Sequence, residues 1–211
     1  MNYLGHAAVA SWRSPDSAFV LGAMLPDFAT MIGTRPPTTA HVGIDDGMRF
    51  HYRTDEVFHR STAFVDLTRS AFAWLLARGV ERGRARAVAH VGVELLLDVE
   101  LVRDEPVQRA YLAAVASATP LGLGGHLSWT SPGDFGGFDA LRGRLLARGV
   151  TLDDADAGLV ARRLRRALGL RPRLTLDDAA ELVVRDWVVA ARPAVAARSV
   201  ALARDLAERL L

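Results

Sequence analysis

Cysteine is absent from this chain. Disulfides are thereby excluded, and so are thiolate zinc centres and cysteine-held iron–sulfur clusters. Lysine is absent too, so all 26 basic residues are arginine. That compositional habit weakens any argument that an individual arginine was selected over lysine for its fork geometry. The formal net charge is only +2, and the arginines are not interleaved with aromatics, so nucleic acid is not an expected partner. No apolar run approaches the roughly 18 residues of a membrane-spanning helix. The opening MNYLGHAAVASW has no basic segment ahead of an apolar stretch and a cleavage site. It does not read as a signal peptide, and the cytoplasm is the expected location. Neither a P-loop nor a dinucleotide-binding glycine fingerprint occurs.

What is present is helical pattern. Half of the 211 residues are hydrophobic, enough for a sizeable core in one domain. Strand alternation is nowhere convincing, so the expected fold is all-α, a single helical-bundle domain over residues 1–211. Asn2 is placed to cap a first helix to about Trp12. A second starts near Pro15 and Asp16 and is expected to break at Pro26, with Asp27 capping a short turn to Ile32. Residues 33–40 read as a loop. A long pattern from Ile44 to Arg78 has an expected break near Arg60–Ser61. Helices follow over Arg84–Arg103 and residues 105–117. Residues 118–137 read as a long irregular loop carrying His126, Trp129 and Asp134. Helix resumes at Phe138–Arg148. Thr-Leu-Asp-Asp occurs at Thr151–Asp154 and again at Thr175–Asp178, each time as a helix start. The last helix, to Leu211, is expected to bend or break near Pro193.

Two segments repeat one spacing of chemically active side chains. His51, Asp55 and His59 stand at i, i+4, i+8, and so do His90, Glu94 and Asp98. On a helix, positions four apart fall within about 40° of each other, so each set forms a stripe. Two such stripes facing one another would concentrate imidazoles and carboxylates as a metal-dependent hydrolase requires. The plain alternative is a pair of solvated helix edges with local His–carboxylate contacts. His6, inside the apolar run NYLGHAAVA, and Asp27, after Pro26 in LGAMLPDF, can complete a sulfur-free shell. Singly, the first is as well read as a core histidine and the second as a helix cap. The candidate metal ligands are therefore His6, Asp27, His51, Asp55, His59, Glu94 and Asp98. Such a shell suits a divalent ion, Mn2+ first, then Zn2+, Fe2+ or Mg2+.

Met-Asn-Tyr-Leu-Gly-His, Leu-Gly-Ala-Met-Leu-Pro-Asp-Phe, Gly47 through Asp55, and Glu94-Leu-Leu-Leu-Asp98 follow in this order. In order and approximate spacing they resemble the acyl-carrier-protein phosphodiesterases, helical metal-dependent hydrolases akin to HD-type phosphohydrolases. The resemblance covers roughly residues 1–100. It implies an HD-like metal site with matching positions at His6, Asp27, His51, Arg53, Asp55, Glu94 and Asp98. The family pattern has aspartate at the positions of His59 and Glu94, and a histidine where Val99 stands. No adjacent His-Asp pair occurs in this chain. A second group, the zinc-dependent phospholipase C-like proteins, shares the early His and the Gly-x-x-x-Pro-Asp segment.

The implied chemistry is phosphoester hydrolysis, with a metal-activated water and charge neutralisation on the phosphoryl oxygens. Arg53 is the candidate for the second task, although it lies roughly 200° around the helix from His51. His90 is the other candidate catalytic side chain. Arg162, Arg163, Arg165, Arg166, Arg171 and Arg173 form a basic cluster. It reads either as a solvated helix face or as a dock for an acidic partner such as an acyl carrier protein. The expected partners are thus a phosphoester substrate and that carrier, with no membrane span and no assignment of oligomeric state. The alternative from another class is a non-catalytic helical protein whose stripes face water or a partner.

Overall fold

Helix caps and apolar faces carry most of the chain's local order. A computed structural model describes residues 1–150, 156–169 and 171–211. Among them, nine α-helices follow in order: α1 Tyr3–Arg13, α2 Ser17–Ile32, α3 Val42–Arg60, α4 Thr62–Leu76, α5 Arg82–Leu101, α6 Glu105–Ser117, α7 Pro132–Arg148, α8 Ala157–Gly169 and α9 Asp178–Leu210. Asn2 accepts the Tyr3 N–H to open α1, and Asp16 accepts those of Ala18 and Phe19 to open α2. Ser61 accepts the Phe64 N–H to open α4, which places the break between α3 and α4 where expected. Gly33, at φ 76°, closes α2 in the left-handed conformation that glycine tolerates best. Among the described residues there is no strand; an isolated antiparallel bridge pairs Thr38 with Ser128. No described helix is long and apolar enough to cross a membrane.

Several expected boundaries move. Pro26 lies inside α2 rather than ending it, and Asp27 is a mid-helix residue, not a cap. Proline removes the N–H that Gly22's carbonyl would accept, at a penalty of about 3 kcal/mol. Burial of Val20 to Pro26, Phe28 and Ala29 on both sides of the defect holds the helix together. Likewise Pro193 lies within a continuous α9. The irregular stretch 118–137 is shorter than expected. It contains a 3₁₀ turn, Leu123–His126, and α7 starts at Pro132. Ser131 and Asp134 form a capping box there, and proline at the first turn suits a helix start, so local caps outweigh the three glycines that follow. Before α9 the capping oxygen belongs to Asp177, which accepts the Ala180 N–H, rather than to Thr175. The corresponding start at Thr151–Asp154 lies outside the described residues.

The chain divides into two compact units: Met1–Phe58 with Leu101–Thr151 and Leu206–Leu211, and His59–Glu100 with Leu152–Asp205. In the first, α1, α2 and α6 pack on one another and α7 packs on α2 and α6. Val9, Leu21, Met24, Leu25, Phe28, Tyr111, Val115 and Phe138 form its core. The rings of Tyr3, Phe28 and Tyr111 gather at centroid distances of 5.5 and 6.1 Å. In the second, α4, α5, α8 and α9 contribute Leu67, Leu75, Val93, Leu97, Leu164 and Trp187. Gly92 makes room for Trp187: a Cβ there would stand 2.5 Å from the indole ring. Part of the basic cluster is neutralised inside this unit. Arg165 donates to Asp178 at 2.7 Å and to Glu181 at 2.6 Å.

One contact positions the functional residues of the first unit. A Cβ on Gly22 of α2 would lie 2.1 Å from the carbonyl oxygen of Ile44, and one on Gly47 of α3 would lie 2.2 Å from that of Phe19. The two helices therefore touch backbone to backbone, and any side chain at either position would drive them apart. Gly47→Ala should destabilise the protein by about 1–3 kcal/mol, an overpacking effect that relaxed side chains cannot relieve because the opposing atoms are main chain. Urea unfolding checks this. Gly143→Ala on α7, where a Cβ meets nothing within 4 Å, is the control and should be neutral or stabilising.

Candidate metal centre

The close crossing of α2 and α3 brings His51 against Ala23 of α2. Its Nδ1 lies 2.9 Å from the carbonyl oxygen of Ala23. A carbonyl can only accept, so Nδ1 carries the proton and Nε2 presents a lone pair. Such a second hydrogen bond is what fixes the tautomer of a metal-ligating histidine. His6, on α1, stacks on His51 with ring centroids 3.8 Å apart. Asp27 completes the group: His6, Asp27 and His51 each offer one ligand atom, all within 4.8 Å of one another.

The electrostatics of the group follow from burial. His6 is 1% exposed. Among the described residues neither of its ring nitrogens makes a hydrogen bond. Its Nε2 stands 3.5 Å from Oδ1 of Asp55, an ion-pair distance too long for a good hydrogen bond. Burial lowers the His6 pKa to about 3; Asp55 opposes the shift, and the neighbouring His51 adds to it. Burial also lowers His51, partly offset by the Ala23 carbonyl. Burial alone would raise Asp55, but His6 and the amino group of Met1, 2.9 Å away, hold it well below the usual carboxylate range. Near pH 7 His6 and His51 are therefore neutral imidazoles beside an ionised Asp55, protonation states that suit a divalent cation.

A second set lies in the second unit. Glu94 of α5 accepts through Oε1 from Nε2 of His59 at 3.0 Å and lies 3.2 Å from Nε2 of His90. These three residues also offer ligand atoms within 4.8 Å of one another. Burial would raise Glu94, but the imidazoles of His59 and His90 outweigh it and hold the carboxyl well below its ordinary range. Asp98 follows one turn later on α5 and is buried, at 1% exposure.

The sequence-derived residues thus gather as follows. His6, Asp27 and His51 converge, with Asp55 against His6, and His59, His90 and Glu94 converge within the second unit. His90, expected to act catalytically, takes its place among the ligand-type side chains. Arg53 does not join His51: it is exposed, and its guanidinium donates to the carbonyl of Arg209 at 3.2 Å. The helical angle between positions 51 and 53 had already pointed away from the site. Asp134, singled out in the irregular stretch, serves the α7 cap and accepts from the Thr34 hydroxyl at 2.8 Å. Two participants were not singled out from sequence. The Ala23 carbonyl has no side chain to betray it. Phe64, whose ring stands edge-on to both His59 and His90 at 5.1 and 5.3 Å, looks like any core aromatic. Outside both groups, the ring of His41 meets that of His126 at 5.0 Å.

No family model matches the chain, and no curated protein or solved structure matches it either.

The buried histidines set the sign of the acid response. His6 has a pKa of about 3 when folded against 6.5 as its ordinary value. Between those values the unfolded chain binds more protons, so stability rises with pH. The metal-free protein should therefore lose stability as pH falls below 6.5, with the His6 contribution lost by about 3. His6→Gln should make that fall shallower. Urea midpoints measured between neutrality and pH 4 check both statements. Equal slopes for parent and variant would contradict a buried neutral His6.

Proposed function

We propose that this protein is a metal-dependent phosphoric ester hydrolase, of phosphodiesterase type, that binds a divalent cation through His6, Asp27 and His51. The observation that carries the reading is the buried His6–His51 stack beside Asp27, with His51 held by the Ala23 carbonyl. A fully buried imidazole whose nitrogens make no hydrogen bonds costs stability unless something else engages it. A cation meets that need, and the chemistry of the donors fits one. The motifs shared with acyl-carrier-protein phosphodiesterases fall on these same residues and support the choice of reaction. The proposed setting is cytoplasmic, and the proposed metal is Mn2+.

Each side chain has a separable task. His51 offers Nε2 in a fixed direction because its other nitrogen is engaged. His6 remains neutral through burial and so keeps a lone pair at physiological pH. Asp27 supplies negative charge, which favours a dication over water in the group. Asp55, ionised 3.5 Å from Nε2 of His6, adds negative charge beside the group, which favours a cation there. When bound, the cation supplies Lewis-acid chemistry, acidifying water and neutralising charge that develops on a phosphoryl oxygen. A carrier-protein substrate would add an acidic surface for the exposed arginines to steer.

The test starts with chelator-treated protein. Adding Mn2+ should raise the melting temperature, because a ligand bound only by the folded state stabilises it, by roughly 2.7 kcal/mol at a hundredfold excess over Kd. The Mn2+-loaded protein should hydrolyse bis-p-nitrophenyl phosphate. Asp27→Asn and His51→Ala should lose both the thermal shift and the activity. Asp55→Asn should weaken metal binding by about 10–100-fold, because it removes a negative charge from the surroundings of the ligands. Release of phosphopantetheine from a holo acyl carrier protein tests the narrower substrate. Metal binding without either hydrolysis would mark a metalloprotein of another kind, and no thermal shift with any divalent cation would end the metal reading.

A further inference from the structure

The imidazoles of the second unit are arranged around a point rather than merely near a carboxylate. His90 and Glu94 stand one turn apart on α5, and His59 comes from the last turn of α3. Nε2 of both histidines faces the same oxygen, Oε1 of Glu94, at 3.0 and 3.2 Å. The two rings are parallel to within 2°, with centroids 5.1 Å apart. Phe64 stands at 86° to each of them, so one aromatic edge restrains both rings. Two nitrogen donors and one carboxylate oxygen are thereby held on a common locus by packing.

We propose that His59, His90 and Glu94 form a zinc-binding site with an open coordination position, drawing none of its protein ligands from His6, Asp27 or His51. Donor chemistry chooses the metal. Two imidazoles and one carboxylate make a borderline set that suits Zn2+ better than the oxygen-seeking Mg2+ or Ca2+. Distances agree with that choice. With bonds of about 2.1 Å, two ligands on a tetrahedral zinc lie about 3.4 Å apart. The observed separations of 3.0 and 3.2 Å need only a small outward movement. The site also stays wet on one side: the side chains of His59 and His90 are 30% and 46% exposed, while Glu94 is 13% exposed. Three protein ligands with solvent access leave the fourth position to water or to a ligand carrying an oxygen or nitrogen donor. In the absence of metal, imidazole N–H donors to Glu94 take the place of the ion, which keeps the site assembled.

Cation titration of the full chain tests this, and its outcome is separable from that of the manganese reading. Chelator-treated parent, His90→Gln, His59→Ala and His51→Ala proteins are titrated with Zn2+, and the bound metal is counted after gel filtration. Co2+ serves as the optical probe. The expected result is one zinc equivalent that both His59→Ala and His90→Gln lose and His51→Ala keeps. The parent and His51→Ala should show the visible absorption of four-coordinate Co2+, and His90→Gln should lack it. His90 is half exposed, so its variant should fold, with helical circular dichroism as the control. Zinc retained by His90→Gln and His59→Ala overturns the proposal, as does a single equivalent lost equally in His51→Ala. No zinc bound by the parent overturns it as well, while leaving the Mn2+ thermal shift as the separate test of the first unit.

Discussion

The backbone contact between α2 and α3 at Gly22 and Gly47 underlies everything proposed for the first unit. A side chain on either glycine would hold the helices apart by at least its own thickness. His51 stands one turn beyond Gly47, and Ala23 follows Gly22, so the contact sets the distance between an imidazole and a main-chain carbonyl directly. That 2.9 Å hydrogen bond in turn decides which nitrogen of His51 is available. Glycine is an unfavourable residue inside a helix, by about 0.5–1 kcal/mol relative to alanine. Here two of them are retained where their lack of a side chain, not their flexibility, is what the structure uses. The chain thus accepts weaker helices in exchange for a closer crossing.

The two groups of ligand-type side chains solve opposite electrostatic problems. In the first unit the histidines are deeply buried, and desolvation suppresses their charge. Asp55 keeps its charge because the Met1 amino group lies 2.9 Å from it and His6 stands beside it. In the second unit the carboxylate is the most buried member, and two partly exposed imidazoles compensate it. Among the described residues the His6 ring nitrogens make no hydrogen bond, whereas Glu94 accepts from His59 at 3.0 Å and lies 3.2 Å from His90. The first therefore has more to gain from a cation, whereas the second exchanges one set of bonds for another. The proposed cations would therefore differ in affinity and in their effect on stability, even though both groups contain two histidines and one acidic residue.

Most of the helical order was legible in the sequence, because caps and apolar periodicity are local signals. Asn2, Asp16 and Ser61 all cap where their chemistry says they should. The errors share a cause. Pro26 and Pro193 are strong breakers in an isolated helix, and both are carried inside helices by packing that no local rule sees. At Pro132 the reverse happened: the glycines of Gly-Asp-Phe-Gly-Gly obscured a capping box that was spelled out in Ser131 and Asp134. The candidate residues at i, i+4 spacing were readable as stripes, since a helix makes them neighbours. Their grouping was not readable, because it depends on Gly22, Gly47 and Phe64, residues that carry no chemistry of their own. The placement of Arg53 away from His51 followed from helical angle alone.

The first unit is assembled from three separated stretches of chain, the last of them only Leu206–Leu211. Arg13 donates to the carbonyl of Leu210 at 3.0 Å across 197 positions of sequence, and Arg53 donates to that of Arg209. During synthesis from the amino terminus, these contacts can therefore form only after the ribosome has passed Leu210. Until then His6, Asp27 and His51 belong to an incomplete body, and loop-closure entropy over that span slows its completion. Helix α9 belongs to the second unit up to Asp205 and supplies the last segment of the first from Leu206. A cation that needs the finished first unit would thus be acquired only once residues as far as Leu210 have been synthesised.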